Sequence, residues 1–147
     1  MATIKLETII NAPIERVFDL SRSIELHRIS MTHTDESVIA GRFSGLIELN
    51  ETVTWKAKHF GLYHTLTVKI TDLNYPTSFT DTMQRGMFSY MKHTHSFSKW
   101  KEGTLMTDSF TFGAPLGLLG RLIEFVFLKK YMQNLLSERN RVIKKNG

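Results

Sequence analysis

The 147-residue chain contains no cysteine. This excludes a disulfide scaffold, CxxC redox chemistry and thiolate ligation of a metal. It has three prolines, and each stands where a periodic pattern stops: Pro13, Pro76 and Pro115. No apolar run approaches the roughly 20 residues that cross a bilayer. The opening MATIKLETIINAP lacks an apolar core of signal-peptide length. The cytoplasm is therefore the expected location. No GxSxG elbow supports a nucleophilic mechanism. Linkers, repeats and low-complexity tracts are missing too, so one domain over residues 1–147 is expected. That length buries a real core without staples.

Acidic excess is also missing. The net charge is +5, and from residue 121 onward seven bases (Arg121, Lys129, Lys130, Arg139, Arg141, Lys144, Lys145) face only Glu124 and Glu138, which accounts for all of it. The twelve bases and twelve acids before residue 121 cancel. A solvated basic face, or peripheral contact with an anionic membrane or acidic partner, both fit this asymmetry. Nucleic acid is not an expected partner, because no recognition motif or aromatic–basic stacking pattern accompanies the charge.

What is present is strand periodicity followed by one long helix. Thr3 to Ile10 alternates as a first strand. Asn11-Ala12-Pro13 breaks it, and Pro13 suits a helix start, where its missing N–H costs nothing. Ile14, Val17, Phe18 and Ser21 follow at helical spacing. A second short helix is expected from Ser23, with Leu26 and Ile29 inward. Strands are then predicted over Ser37–Phe43, Leu46–Lys58, Leu62–Ile70, Phe79–Arg85, Phe88–Trp100 and Thr104–Gly113. Turns are expected at His59-Phe60-Gly61, Asn74-Tyr75-Pro76 and Glu102-Gly103. Residues 116–145 read as one terminal helix, apolar around most of its girth at the front and basic at the back. Gly117 and Gly120 interrupt its first turns, for close helix–sheet approach or as a soft entrance to a cavity. The fold class is α+β: a curved antiparallel sheet of about seven strands around a long C-terminal helix, with two short helices after the first strand.

Polar residues on the apolar strand parity are the candidates for chemistry. Glu51 lies between Leu49 and Val53, His64 between Leu62 and Leu66, and Asp108 between Met106 and Phe110. His93 and His95 precede Phe97. A two-residue turn at Glu102-Gly103 sets Phe97 opposite Asp108 and His95 opposite Phe110. His95 is then the diagonal neighbour of Asp108, within reach of a carboxylate–imidazole pair. A three-residue turn breaks that register. The group reads as a satisfied buried network, as ligand hydrogen bonding in an apolar cavity, or as acid–base catalysis by His93, His95 and Asp108. No metal and no cofactor are expected: His-x-His puts two rings on one face, but no spacing secures a third ligand. Met83, Met87, Met91, Met106 and Met132 fill an irregular core or form an adaptable pocket wall.

Ile9-Ile10-Asn11-Ala12-Pro13-Ile14-Glu15-Arg16-Val17-Phe18-Asp19 resembles the opening of the START-related SRPBCC superfamily, the polyketide cyclase and pollen-allergen-like helix-grip fold. Gly45-Leu46-Ile47 with Val53-Thr54-Trp55, Phe79-Thr80-Asp81, Gly86-Met87-Phe88, His93-Thr94-His95-Ser96-Phe97 and Pro115-Leu116-Gly117-Leu118-Leu119-Gly120 are similar to its bacterial ligand-binding branch. The resemblance implies a sheet wrapped around the terminal helix, with an apolar cavity between them. Relatives bind lipids, sterols, polyketides or plant hormones, and some are cyclases or hydratases. Met83 stands where the branch often has Gln, and Met91 where it often has Trp, so the implied pocket is softer and less polar here. The expected function is binding or carrying a small hydrophobic molecule. A cyclase- or hydratase-like enzyme and a membrane- or partner-docking module are the alternatives. The candidate pocket residues on the sheet are Glu51, Trp55, His64, Asp81, Met83 and Met91. His93, His95, Phe97, Asp108 and Phe110 continue the set on the last strands, and Leu122, Phe125 and Val126 complete it on the helix.

Overall fold

Alternation in the first residues becomes strand β1 (Ala2–Ile10), with Ile4 and Ile10 buried and the intervening lysine and glutamate outward. In the computed structural model, which describes residues 1–115 and 122–147, the order continues α1 (Ile14–Ser21), α2 (Ile24–Ser30), a single 3-10 turn (Thr32–Thr34) and β2 (Ser37–Gly41). Strands β3 (Thr52–His59), β4 (Leu62–Asn74), β5 (Ser78–Arg85), β6 (Tyr90–Trp100) and β7 (Gly103–Gly113) precede helix α3 (Leu122–Asn146). The stretch 116–121, with Gly117 and Gly120, lies outside the described residues, as do the side chains of residues 122–124.

Seven strands form one antiparallel sheet in the order β1-β7-β6-β5-β4-β3-β2. Register shifts at Val38/Ala40, Thr67/Val68 and Ile70/Asp72 insert extra residues that bend and twist the strands. The bent sheet presents its apolar parity to α1, α2 and α3. Phe18 of α1 is fully buried there and meets the Tyr75, Phe79 and Phe97 rings edge-on at 5.0–5.3 Å. Such aromatic pairs add stabilisation beyond their buried area.

Pro13 caps α1 from outside rather than opening it, since its extended backbone leaves Ile14 as the first helical residue. Ser23 caps α2 by accepting a 3.2 Å hydrogen bond from the Leu26 amide. Ile29, expected inward, is exposed, and Ile24, Leu26 and Ser30 form the buried side of α2 instead. That is the face a seven-residue helix can turn to the sheet when it is anchored at its N-cap.

Two strand expectations are corrected. The strand read as Leu46–Lys58 begins only at Thr52, because Asn50 adopts a left-handed backbone with φ 68° and reverses the chain before it. Ile47 remains buried through its amide, which donates to Arg22 O, whereas Leu49 points outward. Strand β2 stops at Gly41, not Phe43, at a left-handed glycine whose Cα faces the Thr52 carbonyl so closely that a Cβ would clash. Phe60 and Gly61 do form the β3–β4 turn, both at positive φ as a type I′ hairpin requires.

The β6–β7 turn uses Lys101-Glu102 rather than Glu102-Gly103. Trp100 pairs with Gly103, and Lys101 takes the left-handed conformation at φ 52°. His95 therefore stands directly opposite Asp108, His93 opposite Phe110 and Phe97 opposite Met106. The expected register was two residues out, which preserved every side-chain face while changing every partner.

Candidate functional site: an apolar cavity closed by a buried ion ladder

Along α3, Leu128, Tyr131, Met132, Leu135, Leu136 and Arg139 recur at helical spacing and face the sheet across a cavity of about 170 Å³. Its other walls are Ile24 and His27 from α2, Trp55 and Ala57 from β3, Leu66 and Val68 from β4, Phe79 and Asp81 from β5, and Met91 and His93 from β6. Met31, Met87, Met91 and Met132 all reach it. One end lies at the β3–β4 turn, where Phe60 lines the cavity and is also 53% exposed. There His59 Nδ1 lies 2.7 Å from the Tyr131 hydroxyl, tying the hairpin to the helix. Burial, then the neighbouring His64, holds His59 below its ordinary basicity. On the wall nearby, His27 stacks on Trp55 at 4.4 Å and pairs with Glu36 at 2.7 Å.

The opposite end is closed by charge. On β6, the His93 and His95 rings lie face to face at 3.7 Å, with Phe79 stacked on the far side of His95 at 4.0 Å. Each histidine bonds the carboxylate diagonal to it on a neighbouring strand: His93 Nε2 to Asp108 Oδ1 of β7, and His95 Nε2 to Asp81 Oδ1 of β5, both 2.7 Å. Arg139 of α3 enters from above. Its Nη1 donates to Asn140 Oδ1 at 2.8 Å and to Asp108 Oδ1 at 3.4 Å; its Nη2 donates to Ser21 O and His95 Nδ1, each at 3.2 Å. Asn140 Nδ2 donates to the other Asp108 oxygen at 2.8 Å. Asp108 is wholly buried and carries its charge only because three side chains satisfy it.

These contacts fix protonation. Because Arg139 donates to His95 Nδ1, that nitrogen is unprotonated, and the ring is a neutral imidazole giving its Nε2 proton to Asp81. Burial, then the nearby His93, depresses His95 from an ordinary 6.5 to about 3, and its bond to Asp81 opposes this only in part. For Asp108 burial acts upward, but the His93 hydrogen bond and the Arg139 charge outweigh it and hold the carboxyl well below the usual range. Asp81 is lowered in the same way, by its His95 hydrogen bond and the Arg139 charge against burial.

No family model matches the sequence, and no curated protein matches it. Solved structures do match. A protein from Thermus thermophilus superposes with a TM-score of 0.75 at 20% identity, over 97% of each chain. Ara h 8.0201 gives 0.67 at 15% identity over 97% of each chain. The major latex-like protein 151 of Panax ginseng gives 0.68 at 15%, covering 99% of this chain and 96% of its own. The chain has the helix-grip fold. At these identities the likeness is one of architecture.

Within the helix-grip frame, Trp55, His64, Asp81, Met91, His93, His95 and Phe110 line the cavity. Asp108 lies behind His93, out of the lining, and Phe97 packs into the aromatic cluster around Phe18. Met83 is half-buried outside the cavity wall, packed against the core. Glu51 is displaced from the pocket because the Asn50 reversal turns it to Arg42, which it meets at 2.9 and 3.1 Å, and to the Glu48 amide. Val126 is 59% exposed, pointing away from the sheet, and Phe125 is half-buried against Phe112 at 5.5 Å. Leu122 falls among the side chains outside the described set.

Asp81 supplies the third group near His93 and His95 that spacing did not secure, each offering a ligand atom within 4.8 Å of the others. The cluster nevertheless fits a metal poorly. An ion shared by two imidazoles lies near the plane of both, whereas these rings are stacked, and both nitrogens of His95 are already bonded beside a guanidinium. Arg139, counted in the sequence as part of a basic face, is the residue that reasoning missed. Its signal was positional, three residues after Leu136 and four after Leu135 on the apolar stripe.

Replacing Arg139 by Ala leaves Asp108 short of its buried cation and is expected to destabilise the fold by about 3–5 kcal/mol. Urea denaturation at pH 7 measures this. The titrations give a second outcome. Between pH 6.5 and about 3 the unfolded chain holds a proton on residue 95 that the folded chain refuses, so stability falls as pH drops through that window. Asp81 and Asp108, both lowered, contribute stability above the ordinary 3.8 that is lost below it. The urea midpoint is thus expected to decline from about pH 6.5, not only from pH 4. In His95→Gln the decline between pH 6.5 and 4 becomes shallower.

Proposed function

We infer that the protein binds a small apolar molecule, lipid- or polyketide-like in character, in the cavity between sheet and terminal helix. The observation that carries this is an apolar void of about 170 Å³ at the centre of the fold, walled by Trp55, Leu66, Met91, Leu135 and Leu136. Natural interiors are close-packed, and an engineered apolar cavity of about 150 Å³ takes up benzene. The void therefore suits a molecule of one or two rings or a short branched chain. Four methionines at its wall allow repacking around different shapes.

Acid–base catalysis is the weaker reading. Of the three candidates, both nitrogens of His95 are engaged and Asp108 is enclosed by three donors, which leaves His93 Nδ1 as the one nitrogen a general base could use.

Methyl NMR of the methionines tests the binding reading. Naphthalene is expected to shift the Met31, Met87, Met91 and Met132 methyl signals and leave Met1, which is exposed, unmoved. Ala57→Phe, which fills the void from β3, abolishes the shifts. Unmoved pocket methyls in the wild-type protein refute the reading.

A second reading rests on a separate observation. Beside the cavity's open end, Phe127 is 64% exposed with Val126, and its ring lies 6.3 Å from that of Phe60. Lys130 follows one turn later on the same face. No helix among the described residues is long and apolar enough to cross a membrane, so this patch suits shallow contact with an anionic lipid surface at the ligand's point of entry. In sedimentation with phosphatidylserine-containing vesicles, Phe127→Ser with Lys130→Ser is expected to lose binding. Neutralising Lys144 and Lys145, about five turns nearer the C-terminus than Phe127, has little effect. The reverse pattern overturns the reading.

A further inference from the structure

The closed end of the cavity presents two side-chain atoms, one on Asp81 and one on His93, that no hydrogen bond occupies among the described residues. Asp81 gives Oδ1 to His95, and among the described residues its Oδ2 has no partner. His93 gives Nε2 to Asp108, and among the described residues its Nδ1 has none. No sealed-off side-chain nitrogen or oxygen among those residues lacks a partner, so these two atoms are open to space, and both residues line the cavity. Asp81 Oδ2 is an acceptor. Two donors that face Asp81 are already engaged: His95 Nε2–H on Asp81 Oδ1, and the terminal nitrogens of Arg139 on Asp108, Asn140, Ser21 and His95.

We propose that this end of the cavity selects an apolar ligand carrying a hydroxyl group, an alcohol or a phenol, and rejects one ending in a carboxylate. The claim rests on the binding reading above and deepens it. A hydroxyl donates to Asp81 Oδ2 in a charge-assisted hydrogen bond, the strong kind in a desolvated site. Arriving without a donor, a hydrocarbon leaves that oxygen stripped of water and unpaired, which costs affinity. A carboxylate brings a third anion to a cluster whose two carboxylates already outnumber its one guanidinium.

Arg139 also makes the preference switchable. It pins His95 as an Nε2–H donor, so the amide of an Asp81→Asn variant must turn its oxygen to His95 and its NH₂ to the cavity. The variant therefore replaces the cavity-facing acceptor with a donor and changes little in shape.

Calorimetric titration of the full chain with 2-naphthol, 2-methylnaphthalene and 2-naphthoate tests the inference. In the wild-type protein 2-naphthol is expected to bind at least tenfold tighter than 2-methylnaphthalene, and 2-naphthoate most weakly. In Asp81→Asn the naphthol advantage shrinks below about threefold and 2-naphthoate gains. Equal binding of naphthol and methylnaphthalene by the wild type, or tightest binding of naphthoate, overturns the inference and leaves the binding reading standing. If none of the three binds, the binding reading itself falls. The wild-type comparison decides the matter even if the variant does not fold.

Discussion

Arg139 carries a full charge into the interior, and the arrangement around it follows from that. A buried guanidinium is tolerated only when paired and hydrogen-bonded, and here its partners come from three places: Ser21 at the end of α1, His95 on β6 and Asp108 on β7. The side chain therefore fixes where α3 sits along its own axis over the sheet. Displacing the helix by a turn strands the cation, and with it the Asp108 carboxylate. Apolar packing along the Leu128–Leu136 stripe is non-directional and tolerates sliding more easily. The ion ladder is what gives the stripe one register.

The same ladder divides the cavity into two environments. At the β3–β4 turn the wall is aromatic and partly exposed, built from Phe60, Tyr131, His59 and His64. At the far end His93 and His95 are stacked beside Asp81, and Arg139 assigns the His95 tautomer. Between them the surface is thioether and aliphatic. On the binding reading proposed above, a ligand entering at the turn would meet apolar contacts first and directional ones last. Under that reading the hydrocarbon wall would supply affinity and the closed end orientation.

How much of this was legible before the structure differs from residue to residue. Alternation placed β1 and β7 to within a residue and started β4 at Leu62 while ending it four residues short of Asn74, and the Phe60-Gly61 hairpin was readable because few sequences tolerate two consecutive positive φ angles. Three signals misled. Asn50 interrupts an otherwise regular alternation, and nothing in the flanking pattern shows that it takes a left-handed backbone and carries Glu51 out to Arg42. Lys101 also adopts positive φ without being glycine, which moved the β6–β7 turn back by one position and the register by two. Because a two-residue slip keeps every side chain on its face, the set of inward residues survived while the pairing did not. Arg139 falls on the same helical stripe as Leu135 and Leu136, but it was counted with the basic residues and not among the site residues, although it is buried.

The sequence by itself determined which faces are apolar, where most strands and helices run, and that His93, His95 and Asp108 share the inner face. Those follow from periodicities of two and 3.6 residues, which are local properties of the chain. Tertiary structure alone decided that His93 takes Asp108 and His95 takes Asp81, that Arg139 assigns the tautomer between them, and that a void remains beyond. Diagonal pairing depends on how far each ring leans across a twisted sheet, and the void depends on the helix standing off its curve. Both are set by contacts between residues remote in sequence, here Asp81, His95, Asp108 and Arg139, whose separation no local period encodes.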